Sequence, residues 1–226
     1  MTQLLLDLKP EQQPTLGNFV VGDNGELISR LRAMEDRGCF DVLFVWGPRG
    51  CGKSHLLQAT ATAAAAHRPV LRLAGEQTGA EIPATPGALL VIDDIDGLGD
   101  AAQIALFRTF NAARLAGLAL LLSADEPPLR LRLREDLRTR VGQALVFEIK
   151  PLTDEEKAAA LHRHAQERGM RVDDGLIRYL LSRGRRDLPS LMAMLDHLDR
   201  ASLEQKRPPT LPLLREVMQL STDAES

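Results

Sequence analysis

"GPRGCGKS", residues 47–54, fits the phosphate-binding pattern G-x-x-x-x-G-K-[ST]. The pattern carries meaning only between a strand and a helix, and that is where it lies. "DVLFVWG" (41–47) is a short apolar run that stops at glycine, as a buried parallel strand does. "KSHLLQATATAAAAH" (53–67) reads as the following helix. The composition suits the chemistry. Gly47, Gly50 and Gly52 let the backbone close around phosphate oxygens with its N–H groups turned inward, and the helix adds its positive end. Lys53 is placed to neutralise β- and γ-phosphates, and Ser54 to ligate magnesium.

Outward from this loop, strands and helices alternate. "GDNGELISRLRAMEDR" (22–37) sets Leu27, Ile28, Leu31 and Met34 at helical spacing, with Gly38 as its stop. Further strands are read at 69–75, 88–96, 118–125 and 144–152, and a long helix at 100–117. Such alternation implies a five-stranded parallel sheet flanked by helices, an α/β fold. The pattern changes after Pro151. "TDEEKAAALHRHAQERG" (153–169) opens with Thr153 and Glu156, a capping-box pair, and amphipathic helices follow at 173–184, 188–206 and 210–220. The expected organisation is a tail over 1–15, a nucleotide-binding α/β domain over 16–151 and a small α-helical domain over 152–226.

Other segments supply candidate catalytic parts. In "LLVIDDID" (89–96), four apolar residues lead to Asp93, placed to hold magnesium, and Asp94, placed to orient an attacking water. Asp96 reads as solvating the strand end. In "SAD" (123–125), Ser123 or Asp125 would lie near the γ-phosphate if the fourth strand sits between the first and third. "LRLRLREDLRTRV" (129–141) carries five arginines. It reads either as a solvated basic segment or as the carrier of an arginine, Arg140 or its neighbour Arg138, that reaches another subunit's nucleotide. "RGRRDLPSL" (183–191) starts a helix with Arg186, which could fold back onto phosphates.

Composition narrows the classes. The chain has 226 residues, 44% of them hydrophobic, and a formal net charge of −3, which argues against a protein that chiefly coats nucleic acid. No apolar run is long enough to span a bilayer, and no signal-type start is present. Two cysteines, Cys39 and Cys51, make no disulfide framework, so a reducing cytoplasm is expected.

Together these segments resemble the DnaA-related AAA+ ATPases, the family of the bacterial replication initiator DnaA and of shorter Hda-type regulators that inactivate it. The resemblance covers nearly the whole chain. "NFVVGDNGELISRL" (18–31) looks like the family's opening segment, whose "FVVG" lines the adenine pocket and so implicates Phe19, Val20 and Val21. "GPRGCGKSHLLQA" looks like its phosphate loop and first helix, implicating Gly47, Pro48, Arg49, Gly50, Cys51, Gly52, Lys53, Ser54 and His55. Asp93 with Ser54 would hold Mg2+, and "SAD" would be the first sensor, with Asp125 among the nucleotide-binding residues. The same carry-over makes Arg140 the arginine finger and Arg186 the second sensor of a lid domain. The implied cofactors are ADP or ATP with Mg2+. Two features depart from initiators. No helix-turn-helix reader of double-stranded DNA follows the lid. "GEQTGAEIPATPGA" (75–88) has no lysine or arginine with which to hold single-stranded DNA phosphates.

The first residues then acquire a reading. "QLLLDL" (3–8) resembles the Q-L-x-L-x-L form of sliding-clamp-binding motifs, with Gln3 hydrogen-bonding in the clamp pocket and Leu4, Leu6 and Leu8 as apolar anchors. The alternative is that these leucines pack on the chain's own domain. The resemblance implies a cytoplasmic adaptor whose partners are the sliding clamp, DnaA, DNA indirectly through the clamp, and in one arrangement a second copy of the chain; no membrane is involved. Its main work would be activating DnaA-bound ATP hydrolysis in trans with Arg140, while Lys53, Asp93 and Asp94 leave hydrolysis of its own open. The alternatives are an independent ATPase loading or remodelling a partner on DNA, and a small-molecule kinase; the helical region after 151 disfavours the latter.

Overall fold

Leu43, Phe44 and Val45, from the run before the phosphate loop, are wholly buried in the middle of a sheet. The computed structural model describes residues 13–83, 85–184 and 187–223, with side chains through 219. Five strands, β1 (Val42–Trp46), β2 (Val70–Ala74), β3 (Leu89–Asp93), β4 (Ala119–Ala124) and β5 (Leu145–Glu148), form one parallel sheet in the order β2-β3-β4-β1-β5. The α/β expectation therefore holds, including a fourth strand between the first and third. β3 and β4 are almost completely buried, as their unbroken apolar runs require. β5 lies at an edge and leaves Leu145 and Val146 partly exposed.

Helices α1 (Gly25–Ala33), α2 (Lys53–Ala64), α3 (Asp100–Ala116) and α4 (Glu135–Gly142) belong to this sheet domain. α1 buries Leu27, Ile28 and Leu31, the residues its spacing singled out. It is shorter than the 22–37 read from the sequence, because turns at 34–38 end it before Gly38, whose N–H donates to Asp36. α4 lies inside the arginine-rich segment, where no helix is expected from the alternating "LRLRLR". It buries only Leu137 and Val141, one turn apart, so packing rather than periodicity forms it. The strand read at 144–152 is only the four residues of β5.

Arg68 locks the end of the domain where α1 meets the start of β3. It is 3% exposed, and its guanidinium donates to the carbonyls of Gly87, Met34, Asp36, Cys39 and Ala88. A buried cation with each of its three nitrogens bonded to backbone oxygens is tolerated because those oxygens replace its water. Desolvation pushes its pKa down from the usual arginine value.

Val20–Asp23, Arg49–Cys51 and the chain from Lys150 form a second compact unit. Its helices are α5 (Asp154–Glu167), α6 (Asp174–Arg183), α7 (Leu188–Gln205) and α8 (Leu211–Asp223). The capping box is complete: Thr153 Oγ1 accepts from Glu156 N at 3.2 Å, and Glu156 Oε2 accepts from Thr153 N at 2.8 Å. Asp173 and Asp187 cap α6 and α7. Leu161, Leu180, Leu191, Leu195 and Leu213 meet in a separate apolar core. Asp196 of α7 ties to α5 through His164 at 2.6 Å and Arg168 at 2.7 Å. Among the described residues, no helix is long and apolar enough to cross a membrane.

Candidate functional site

The phosphate loop leaves β1 and enters α2 at the carboxyl end of the sheet. With β1, β4 and β3 adjacent and parallel, the ends of all three strands open at the same edge. Ligands of open α/β sheets bind at such an edge. Gly50 (φ +78°) and Gly52 (φ +104°) adopt backbone conformations that strain other residues. Gly52 also needs its missing side chain: a Cβ there would lie 2.8 Å from the Phe19 ring. α2 begins without a side-chain cap or an acid in its first turn, whereas α5 has both. Neither its N-cap nor its first turn therefore supplies an anion to the first N–H groups, the arrangement in which a helix start holds phosphate.

Lys53 is 6% exposed, and its ammonium is fully engaged. Nζ donates to Gly47 O at 2.9 Å and Pro48 O at 3.5 Å, and pairs with Asp125 Oδ1 at 2.7 Å. The structure thus separates the two sensor candidates. Asp125 meets the lysine. Ser123 is fully buried and donates from Oγ to Asp93 Oδ1 at 2.5 Å while accepting the Asp94 N–H at 3.0 Å. Ser123 thereby fixes the acidic end of β3. Asp96 does more than solvate a strand end, since its Oδ2 accepts the Asp125 N–H at 2.9 Å. The signal for Ser123 was present in the sequence: a hydroxyl inside the apolar "LALLLSA" run needs a partner.

Asp94 sits in a left-handed conformation, φ 55° and ψ 64°, directing the chain into a short 3-10 turn over Ile95–Gly97. Desolvation, then the Asp93 charge, raises the Asp94 pKa against the opposing pull of Lys53. Desolvation raises Asp96 likewise. A carboxyl with a raised folded pKa binds more protons folded than unfolded, so its contribution falls as pH climbs from the ordinary carboxylate range through the raised value. Both side chains remain exposed, so solvent keeps the effect small. Asp94→Asn without nucleotide or magnesium should therefore melt slightly above wild type at neutral pH, with the gap narrowing towards acid. A lower neutral melting temperature would show that the Asp94 charge stabilises the fold.

The residues present suit a magnesium–nucleotide ligand. Ser54 is exposed on the first turn of α2, and Asp93 stands on the neighbouring edge of the sheet. Among the described residues no group of three or more His, Cys, Asp or Glu side chains is arranged to hold a metal alone. An ion here would take its remaining ligands from phosphate and water, as magnesium does.

The other candidate residues are dispersed. Phe19 lies against Gly52 and tilts on His55 with ring centroids 5.8 Å apart. His55 Nε2 lies 3.0 Å from Thr15 O, so it also holds the turn before Phe19. Val20, Val21, Arg49 and Cys51 are in the second unit. Arg140 is exposed in the last turn of α4, 3.5 Å from Gln143 Oε1. Arg138, two residues earlier and thus on a different face, is half-buried. Gln3, Leu4, Leu6, Leu8 and Arg186 lie outside the described residues.

Residues 154–218 match the family model described as "Hda, lid domain". A Haemophilus influenzae protein described as uncharacterized is 30% identical over 228 residues, spanning 96% of this chain and 99% of that protein. The chain belongs to that protein's family. Domain III of the Thermotoga maritima replication initiation protein DnaA superposes with a TM-score of 0.76 at 19% identity, covering 93% of this chain and 98% of that one. Aquifex aeolicus DnaA, solved bound to AMPPCP, also gives 0.76, at 20% identity, covering 94% of this chain and 71% of that one. The chain therefore has the AAA+ fold, a parallel five-stranded core followed in sequence by a helical lid domain.

Proposed function

We propose that this chain is a DnaA-directed adaptor. It binds ADP or ATP with magnesium at Gly47–Ser54 and Asp93. It docks on the sliding clamp through Gln3, Leu4, Leu6 and Leu8, and inserts Arg140 into the ATP site of DnaA. The observation that carries this reading is Arg140 itself: an exposed arginine on a packed helix, with no acidic partner among the described residues. The Hda lid match supports the choice of DnaA as partner. An arginine supplied in trans stabilises charge on the transferring phosphoryl group. The outcome is DnaA–ADP and restrained initiation of DNA replication in the cytoplasm.

The direct test is conversion of DnaA–ATP to DnaA–ADP by the full chain on clamp-loaded DNA, compared with free DNA. The tail supplies a specific prediction. Gln3→Ala with Leu6→Ala should remove retention on immobilised clamp and clamp-dependent stimulation, while the melting temperature stays within about 1 °C, because side chains used only in docking add little to the stability of the free chain. Retained clamp binding would discard the hexamer as ligand. A drop of several degrees would show that its leucines belong to the core.

A further inference from the structure

We propose that Gln103 is a positioning residue that fixes α4, and with it Arg140, to the turn that carries Asp94. The inference rests on the arginine role proposed above. Gln103 sits in α3 and is 6% exposed. A buried amide is costly unless both ends find partners, so an apolar residue would serve the core alone better. Both ends are used. Nε2 donates to Leu98 O at 2.9 Å, and Oε1 accepts the Arg134 N–H at 2.8 Å.

Each partner leads to one half of the proposed chemistry. Leu98 directly follows the Ile95–Gly97 turn, which is closed by Gly97 N to Asp94 O at 3.0 Å and Leu98 N to Ile95 O at 3.2 Å. Arg134 directly precedes α4, and its carbonyl accepts the Arg138 N–H at 2.9 Å. One side chain therefore joins the acidic turn to the first hydrogen bond of the arginine helix. α4 has eight residues, and the side chain of its N-cap, Arg134, caps no backbone N–H but pairs with Asp136 in the first turn at 2.9 and 3.2 Å, a local pair that steadies the turn without fixing it to α3. Leu131, Leu133, Leu137 and Val141 keep this segment in the main core without Gln103. Removing the amide should therefore shift α4 rather than unfold the domain. A change at Asp93 or Asp94 on nucleotide binding would pass through Leu98 and Gln103 to Arg140.

The test uses the full chain with its partner ATPase. Gln103→Met keeps length and removes both hydrogen bonds. Gln103→Glu keeps the oxygen facing Arg134 N and loses the donor to Leu98 O. Gln103→Met should lower the maximal rate of stimulated ATP hydrolysis about tenfold, which corresponds to about 1.4 kcal/mol, with the half-maximal concentration unchanged. Gln103→Glu should fall between Met and wild type. Amide exchange over 134–142 should quicken in Gln103→Met while the strands keep their protection. Added to Arg140→Ala, Gln103→Met should cost nothing further, as expected if it acts through that arginine. A wild-type rate for Gln103→Met beside an inactive Arg140→Ala overturns this inference alone. A fully active Arg140→Ala overturns the function on which it rests. A lower melting temperature with a normal rate per folded molecule makes Gln103 structural and overturns positioning; if the Met variant does not fold, the Glu variant carries the same comparisons.

Discussion

Arg140→Ala is expected to abolish stimulated hydrolysis of DnaA-bound ATP while leaving the chain's own nucleotide affinity, clamp binding and melting temperature unchanged. Arg140 is exposed at the end of α4, and Lys53 is satisfied by Gly47, Pro48 and Asp125 without it. Its loss therefore removes no buried contact. An arginine offered in trans acts on charge that develops in the transition state, and such residues contribute about 10³ to 10⁵ in rate. Arg140→Lys should rescue poorly, because an ammonium lacks the planar fork that reaches two phosphate oxygens. Single-turnover conversion of DnaA–ATP to DnaA–ADP on clamp-loaded DNA is the assay. Full activity in the alanine variant would sink the assignment. If Arg138→Ala were the inactive one, the half-buried arginine would be the donor and the mechanism would stand. Activity in both variants would mean that no arginine from α4 is donated.

Lys53→Ala should erase the nucleotide-dependent rise in melting temperature. A ligand at about 100 times its dissociation constant stabilises the folded state by about 2.7 kcal/mol. In a chain of this size that corresponds to roughly 5–10 °C. Lys53 is the buried cation of the loop, and its charge opposes the rise that desolvation imposes on the pKa of both Asp94 and Asp96. Without it, an entering phosphate would approach the carboxylates of Asp93, Asp94, Asp96 and Asp125 with one buried cation fewer beside them. The free protein should lose some stability too, since the 2.7 Å pair between the buried Lys53 ammonium and Asp125 is lost. Thermal scans with and without saturating ADP separate the two effects. A full-sized ADP shift in Lys53→Ala would remove the phosphate loop from the function.

The two predictions draw on different layers of information. Lys53, Ser54 and Asp93 could be singled out as candidates because they fall in short motifs at strand ends, where a few consecutive residues set the backbone path. The amphipathic helices were readable for a related reason: burial at helical spacing is a local pattern, as Leu27, Ile28 and Leu31 illustrate. α4 was not readable. Its segment alternates apolar and basic residues before the helix begins, and the helix is held by Leu137 and Val141 reaching a core built from distant strands.

By itself the sequence determined a parallel α/β core with a phosphate loop, a helical domain behind it and an arginine-rich approach to the last strand. Tertiary structure decided the partners. Ser123 could meet Asp93, and Asp125 could meet Lys53, only once β4 lay between β1 and β3. Gln103 found Leu98 and Arg134 only when α3 packed against the turn and α4. Periodicity reports which face of an element is apolar. A buried polar group must instead be satisfied by whatever the fold brings within hydrogen-bond reach, and that neighbour is set by strand order and helix packing rather than by adjacent residues.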